Sequence, residues 1–310
     1  MTHIILTSLL LNLLGPASTA PLSTSTIPIP SGFTRVLFQD DFSLLTPSSL
    51  PLPSKWAIDT GTSYPNGPSH WGTNEVQSYT SSPSNIAVTH QGTLQITPLL
   101  SPDGTTWTSA RIESVPAHDF VCQPGQRLRM EASIRVGSAP ADSQMGIWPA
   151  FWSLGAGYRG HYSSWPGVGE IDILETINGA EKAWQTVHCG SVSGGPCHET
   201  DGISGTAALS RGDWHTVAAE IDRTNEGGDW TGERISWFVD GVRTNSVTGA
   251  EVGEEEAWSS LAGTPRFLLL NVACGGSFPD AVAKTKTPTT QTAGGQGASM
   301  EVRYVAVFAT

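Results

Sequence analysis

RLRMEASIRV, residues 127 to 136, alternates without a miss. Leu128, Met130, Ala132, Ile134 and Val136 fall on one side, and Arg127, Arg129, Glu131, Ser133 and Arg135 on the other. Successive side chains of an extended chain point to opposite faces, so the stretch predicts a half-buried antiparallel strand. The same reading extends outward. ISWFVDGVRTNSV (235–247) sets Asp240-Gly241 between two strand-like runs, the strongest short-range hairpin signal. EVRYVAVFA near the C-terminus alternates again, and RFLLLNVAC (266–274) is a continuous apolar run suited to a strand covered on both faces. Ten or more such strands, with turn residues between them and no convincing 3.6-residue period, predict an all-β chain folded as two packed antiparallel sheets.

Composition agrees. Only 14% of the 310 residues are charged, while Gly (34), Pro (21) and Trp (11) are plentiful, a mixture that suits short strands and loops. A formal net charge of −12 argues against nucleic acid or an anionic membrane surface as partner, because both repel an acidic surface; a neutral ligand fits better. The first twenty residues, MTHIILTSLLLNLLGPASTA, hold an apolar run too short to span a bilayer, then Ser18 and Ala20 as small residues of a cleavage site. Residues 1–20 are therefore expected to be a secretory signal peptide, although only the amino terminus supplies positive charge ahead of the run. No later stretch is apolar enough for a membrane helix, so a soluble, secreted, monomeric protein is expected. PLSTSTIPIPSG (21–32) reads as a loose leader, residues 33–310 as a single domain, and TKTPTTQTAGGQGAS (285–299) as a surface loop.

Four cysteines permit three pairings. Cys189 and Cys197 bracket the flexible GSVSGGP and are expected to pair. Cys122 and Cys274 either pair by elimination or stay as buried thiols. No C-x-x-C occurs, and no metal or cofactor is expected.

The chemistry gathers in GEIDILET, residues 169 to 176. Glu170 and Asp172, two apart, share a face, whereas Glu175, five from Glu170, points to the opposite face unless an extra residue interrupts the pleat. A β-bulge near Ile173 or Leu174 supplies that residue and brings all three acids to one surface. Carboxylates about 7 Å apart at an effective dielectric near 20 repel by about 2.4 kcal/mol, or about 1.7 pKa units. That is enough to keep one carboxyl protonated while its neighbour ionises. Glycosidic bond cleavage needs this division: one carboxylate attacks the anomeric carbon and one carboxylic acid protonates the departing oxygen.

The signature resembles that of glycoside hydrolase family 16, whose laminarinase-like branch carries a bulged E-x-D-x-x-E. The resemblance runs over nearly the whole chain after the leader: WGTNEVQSYT (71–80), TSARIES (108–114), GIWPAFWSLG (146–155), WPGVGEIDILE (165–175), QTVHCG (185–190), WHTVAAEID (214–222), ISWFVDG (235–241), FLLLNVACGG (267–276) and SMEVRYVAVF (299–308) follow the family's order. It implies a β-jelly-roll sandwich of two curved sheets with an open concave cleft. It also implies Glu170 as nucleophile, Glu175 as general acid/base and Asp172 as the residue that orients Glu170.

Sugar rings need flat apolar platforms and planar polar groups. Trp148 and Trp152, four apart on one strand, and Trp165, five before Glu170, are either core side chains or such platforms; nearness to the acids favours the platform. The resemblance makes Arg111 and Asn74 hydrogen-bonding partners of the sugar at the reaction centre, and it puts His188 within reach of a hydroxyl or of Asp172. Many relatives bind calcium where this chain has Arg303, which would repel a cation. The implied activity is that of a secreted, retaining endo-β-1,3(4)-glucanase acting on β-glucan. A non-hydrolytic β-glucan-binding protein or a transglycosylase on the same fold are the alternatives.

Overall fold

The computed structural model of the chain describes residues 27–225 and 227–310. The expected signal peptide lies outside these residues, as does the first half of the expected leader. Of that leader, Ile27 is buried against Phe33, Ala306 and Phe308.

Two antiparallel sheets face each other. One runs in the order Val242–Thr248, Arg234–Val239, His215–Asp222, Arg127–Val136, Met300–Ala309, Leu94–Ile96, Ile86–Val88, with Arg35–Asp40 also paired to Met300–Ala309. The other runs Ile203–Ala208, Lys182–His188, Glu170–Glu175, Ile147–Gly155, Arg266–Cys274, Arg111–Ser114, Trp56–Asp59. The inner faces meet in one core. Leu128, Met130, Ala132, Ile134 and Val136 lie in it opposite Phe151, Ile171, Ile173 and Leu174. These are the two packed antiparallel sheets that the alternating strands predict, in the jelly-roll sandwich that the family resemblance implies.

Several local readings hold in detail. Asp240 and Gly241 have φ of 50° and 78°, the two left-handed positions of a tight hairpin turn whose backbone twist matches that of its strands. Every residue of Arg266–Cys274 is buried. Cys189 and Cys197 form a disulfide, while Cys122 and Cys274 are free and buried.

Three features depart from the expectation. The outer face of Arg127–Val136 is not open to water: Arg129, Glu131 and Ser133 are buried, because Arg129 pairs with Glu131 (2.7 Å) and Glu220 (3.4 Å) and the long side chains cover one another. A small third sheet joins Gln77–Tyr79, Trp107–Ser109 and Leu99–Leu100, the first two running parallel. Short helices also occur, Gly249–Val252, Glu255–Ala262 and Ser277–Ala283. Two turns or fewer are too short to display a helical period, although Thr248 and Glu251 do form a capping box at the first of them. Among the described residues no helix is long and apolar enough to cross a membrane.

The strand Glu170–Glu175 is set in place from three sides. Gly169, at φ 76°, turns the chain into it, and a Cβ there would meet the Ser260 carbonyl oxygen at 2.4 Å, so only glycine fits. The Gly169 carbonyl accepts from Arg266 Nη2 (3.1 Å), a fully buried guanidinium that also binds the carbonyls of Ser153, Ser260 and Leu261. From the opposite sheet, Trp237 donates its indole N–H to the Asp172 carbonyl (2.8 Å). Replacing Trp237 by Phe orphans that carbonyl while keeping most of the packing. Trp237→Phe is expected to lower the unfolding free energy by about 1–3 kcal/mol in urea titration, with the β-sheet circular dichroism unchanged; an unaltered midpoint would show the bond to be dispensable.

Candidate active site

The extra residue lies where the spacing demands it. Against the neighbouring strand Ile147–Gly155, Phe151 pairs with Leu174 and Trp152 with Asp172, so Ile173 has no partner on that side. Against Lys182–His188, Asp172 pairs with Thr186 and Glu175 with Trp184, three residues set against two. Ile173 and Leu174 both enter the core, and Glu175 returns to the face of Glu170 and Asp172.

Register then lines up rows across that face. One row runs Trp184, Glu175, Ala150, Asn271, Arg111, Asp59; a second runs Thr186, Asp172, Trp152, Leu269, Glu113; a third runs His188, Glu170, Leu154, Phe267. Of the residues expected to bind sugar, Trp152, Arg111 and His188 stand in these rows, and Trp165 reaches in from the loop ahead of the acids.

Each of the two glutamates has its own holder. Glu170 Oε2 accepts from Trp165 Nε1 (3.2 Å), and Glu175 Oε1 accepts from Trp148 Nε1 (2.8 Å). His188 turns Nε2 toward Asp172 Oδ2 (3.4 Å) and Nδ1 toward Glu199 Oε2 (2.8 Å). Trp148 is only 9% exposed, packed with Ile177, Ala273 and Phe278, so it holds a carboxylate and presents little open ring. Trp152 and Trp165 are half-buried. Trp152 Nε1 donates to Asn271 Oδ1 (2.8 Å), whose amide donates to the Tyr79 hydroxyl (3.2 Å), which in turn donates to Glu75 (3.0 Å).

Arg111 is sandwiched. Its guanidinium carbon lies 4.6 Å from the Trp71 ring centre and 4.9 Å from that of Trp152, while Nε binds Asp59 Oδ2 (3.0 Å) and Nη2 the Tyr64 hydroxyl (3.1 Å). Asn74 is exposed, at φ 63°, with its amide donating to Ser277 Oγ (2.9 Å).

Burial, more than mutual repulsion, governs protonation. Taken out of water by the sheet, Glu175 is pushed up to about 7 against the opposing pull of the Trp148 hydrogen bond and of His188, with the charge of Glu170 adding to the rise. Burial raises Glu170 also, moderated by His188 and Arg111. Asp172 is driven well above the usual carboxylate range, first by burial and then by the charges of Glu175, Glu170 and Glu199. His188 moves up: burial pulls it down, but the Glu199 hydrogen bond and the surrounding carboxylates outweigh that pull.

Glu199, Asn271, Tyr64, Asp59 and Trp71 were not singled out from the sequence. Glu199 had a signal in the cysteines. His188 precedes Cys189 directly and Glu199 follows Cys197 by two, so the disulfide brings the two side chains together. Glu199 Oε1 also accepts from the Cys189 backbone N–H (2.8 Å).

Comparison with known proteins agrees with this geometry. A family model described as "XgeA-like, catalytic GH16 domain" matches residues 136–237, which contain the acid strand. An endo-1,3-beta-glucanase from Streptomyces sioyaensis, known by crystal structure, is 42% identical, with a TM-score of 0.84 over 92% of this chain and 99% of that one. An endo-beta-1,3-glucanase from Pyrococcus furiosus is 26% identical, with a TM-score of 0.63 over 88% and 94% of the two chains. A beta-glucanase from Rhodothermus marinus is 29% identical over 79% of this chain and 77% of its own length. The chain belongs to glycoside hydrolase family 16.

Two titrations follow from these contacts. A hydrogen bond to an ionised carboxylate favours its charged form, so Trp148→Phe should move the Glu175 carboxyl further above about 7, as read by carbon NMR of labelled glutamate. Glu199→Gln removes a negative charge beside His188 and should lower the pKa of that imidazole in a proton NMR titration. No movement in either case would contradict the assigned contact.

Proposed function

We propose that the protein is a secreted, retaining endo-β-1,3(4)-glucanase that cuts internal β-1,3 or mixed β-1,3/1,4 linkages of β-glucan through a covalent glycosyl-enzyme intermediate. The observation that carries the reading is the bulge at Ile173, which sets two glutamates on one face, each held by an indole N–H, with Glu175 pushed up to about 7. In this reading Glu170 is the nucleophile. Its carboxylate attacks the anomeric carbon while Glu175, still protonated below neutrality, gives its proton to the departing glycosidic oxygen. Glu175 then takes a proton from water as that water attacks the intermediate, and Glu170 leaves. Asp172, raised above the usual carboxylate range by burial and by the charges around it, stands beside Glu170 on the same face and orients it.

The half-buried rings of Trp152 and Trp165 suit the C–H faces of glucose units, and Arg111, clamped by Asp59 and Tyr64, suits a sugar hydroxyl. Asn74 is assigned with Arg111 to the sugar at the reaction centre, and His188 to Asp172. The names of the similar proteins support β-glucan as substrate. The apolar N-terminal twenty residues and the Cys189–Cys197 disulfide support an extracellular site of action.

Reducing-sugar release from laminarin and lichenan tests the reading. Wild-type protein should release oligosaccharides from one or both, initially in the β configuration by proton NMR, and Glu170→Gln should be slower by about 10³-fold or more. Equal turnover in wild type and variant would eliminate the mechanism, and binding without release would leave a glucan-binding protein. The pH profile is a second check. Because Glu175 must hold its proton, kcat/KM should fall as the pH rises through about 7.

A further inference from the structure

One group of metal-ligating side chains stands out among the described residues: Glu170, Asp172 and His188 each offer a ligand atom, all within 4.8 Å of one another. A second observation points into the same space. Asp172 is 4% exposed, and its Oδ2, buried and aimed at His188 Nε2, has no hydrogen-bond partner. We propose that these three side chains form a latent binding site for a transition-metal ion of the Zn²⁺ class, with the fourth coordination position open toward the cleft.

The spacing of the Asp172–His188 pair suits such an ion, and the wider limit of 4.8 Å for the full set means that the side chains close in on binding. Ligand distances of about 2.0–2.1 Å in a tetrahedron put neighbouring ligand atoms about 3.3 Å apart. The Nε2–Oδ2 separation is 3.4 Å. The imidazole is already oriented as a ligand. Its Nδ1 faces Glu199 Oε2 at 2.8 Å, so an Nδ1–H donated to that carboxylate leaves the Nε2 lone pair for the metal. Glu199 is fixed in turn by the Cys189 N–H and the adjoining disulfide. One imidazole and two carboxylates neutralise a divalent charge, and a three-ligand set with an open position is the arrangement in which Zn²⁺ retains exchangeable water. Ca²⁺ fits poorly, because it asks for six to eight oxygens. The ion would occupy Glu170 and so exclude the sugar from the proposed nucleophile. Only that consequence rests on the glucanase reading; the binding itself does not.

The site is tested by titrating the whole protein with Co²⁺, whose visible absorption reports tetrahedral coordination, and with Zn²⁺ by calorimetry. Wild type should take up one ion per chain with an intense tetrahedral cobalt spectrum, and Zn²⁺ should displace it. Asp172→Asn and His188→Gln should abolish the spectrum, and Glu199→Gln, which leaves all three ligands in place, should weaken affinity by about 10–100-fold. Circular dichroism identifies any variant that does not fold, and Glu199→Gln with Asp172→Asn then suffices. No uptake by wild type, or uptake unchanged in Asp172→Asn and Glu199→Gln, would overturn the proposal.

Discussion

The site depends on one unpaired residue in one strand. Ile173 has no counterpart on the neighbouring strand, and without that irregularity the five-residue offset between Glu170 and Glu175 would drive the second glutamate into the core beside Phe151 and Ile171. A carboxylate buried there without a partner costs several kcal/mol, whereas Ile173 and Leu174 are at home in it. The bulge therefore satisfies the core and the site together. Its surroundings hold it: Trp237 reaches from the opposite sheet to the Asp172 carbonyl, and Gly169 with Arg266 fixes where the strand begins.

The two sheets treat buried charge in opposite ways. On the outer face opposite the site, Arg129 lies between Glu131 and Glu220, and Arg127 pairs with Glu220, so charge is met by charge. On the site face, none of Glu170, Asp172 and Glu175 forms an ion pair with Lys or Arg among the described residues; indole N–H groups and one histidine stand in their place. The neutral indoles of Trp165 and Trp148 orient Glu170 and Glu175 without forcing them to ionise. An adjacent guanidinium would hold Glu175 low and cost it the proton that its proposed role asks it to give. Arg266, whose guanidinium binds the Gly169 carbonyl at the start of the strand, is engaged by backbone carbonyls and is itself pulled down to about 10 by burial.

Behind the acids, polar side chains work in series. His188 is held by Glu199, Glu199 by the Cys189 backbone, and that loop by the disulfide. Trp152 is held by Asn271, Asn271 by Tyr79, and Tyr79 by Glu75. Both chains end on residues far from the acids in sequence, which is how a shallow sheet face acquires a rigid arrangement.

Much of this was legible in the chain. Alternation at 127–136 and 301–309, the Asp240-Gly241 turn and the apolar run 266–274 decided an all-β sandwich, because local periodicity dictates which side chains a strand can bury. The odd spacing in Glu170–Glu175 called for a bulge, because two-residue periodicity admits no other way to align the acids. The short helices escaped because one or two turns carry too little pattern. The ordering of influences on the acids also escaped, since burial depends on what covers a strand, which no local spacing records. Trp148 illustrates the division: its position beside the acids followed from the strand, but whether it offered a ring face or an N–H was decided by Phe278, Ile177 and Ala273 packing around it. Periodicity is a property of neighbours in sequence and so is written there. The pairing of Glu199 with His188, the clamp on Arg111 and the proton affinity of each acid arise between strands distant in the chain, and only the folded sheet brings them into contact.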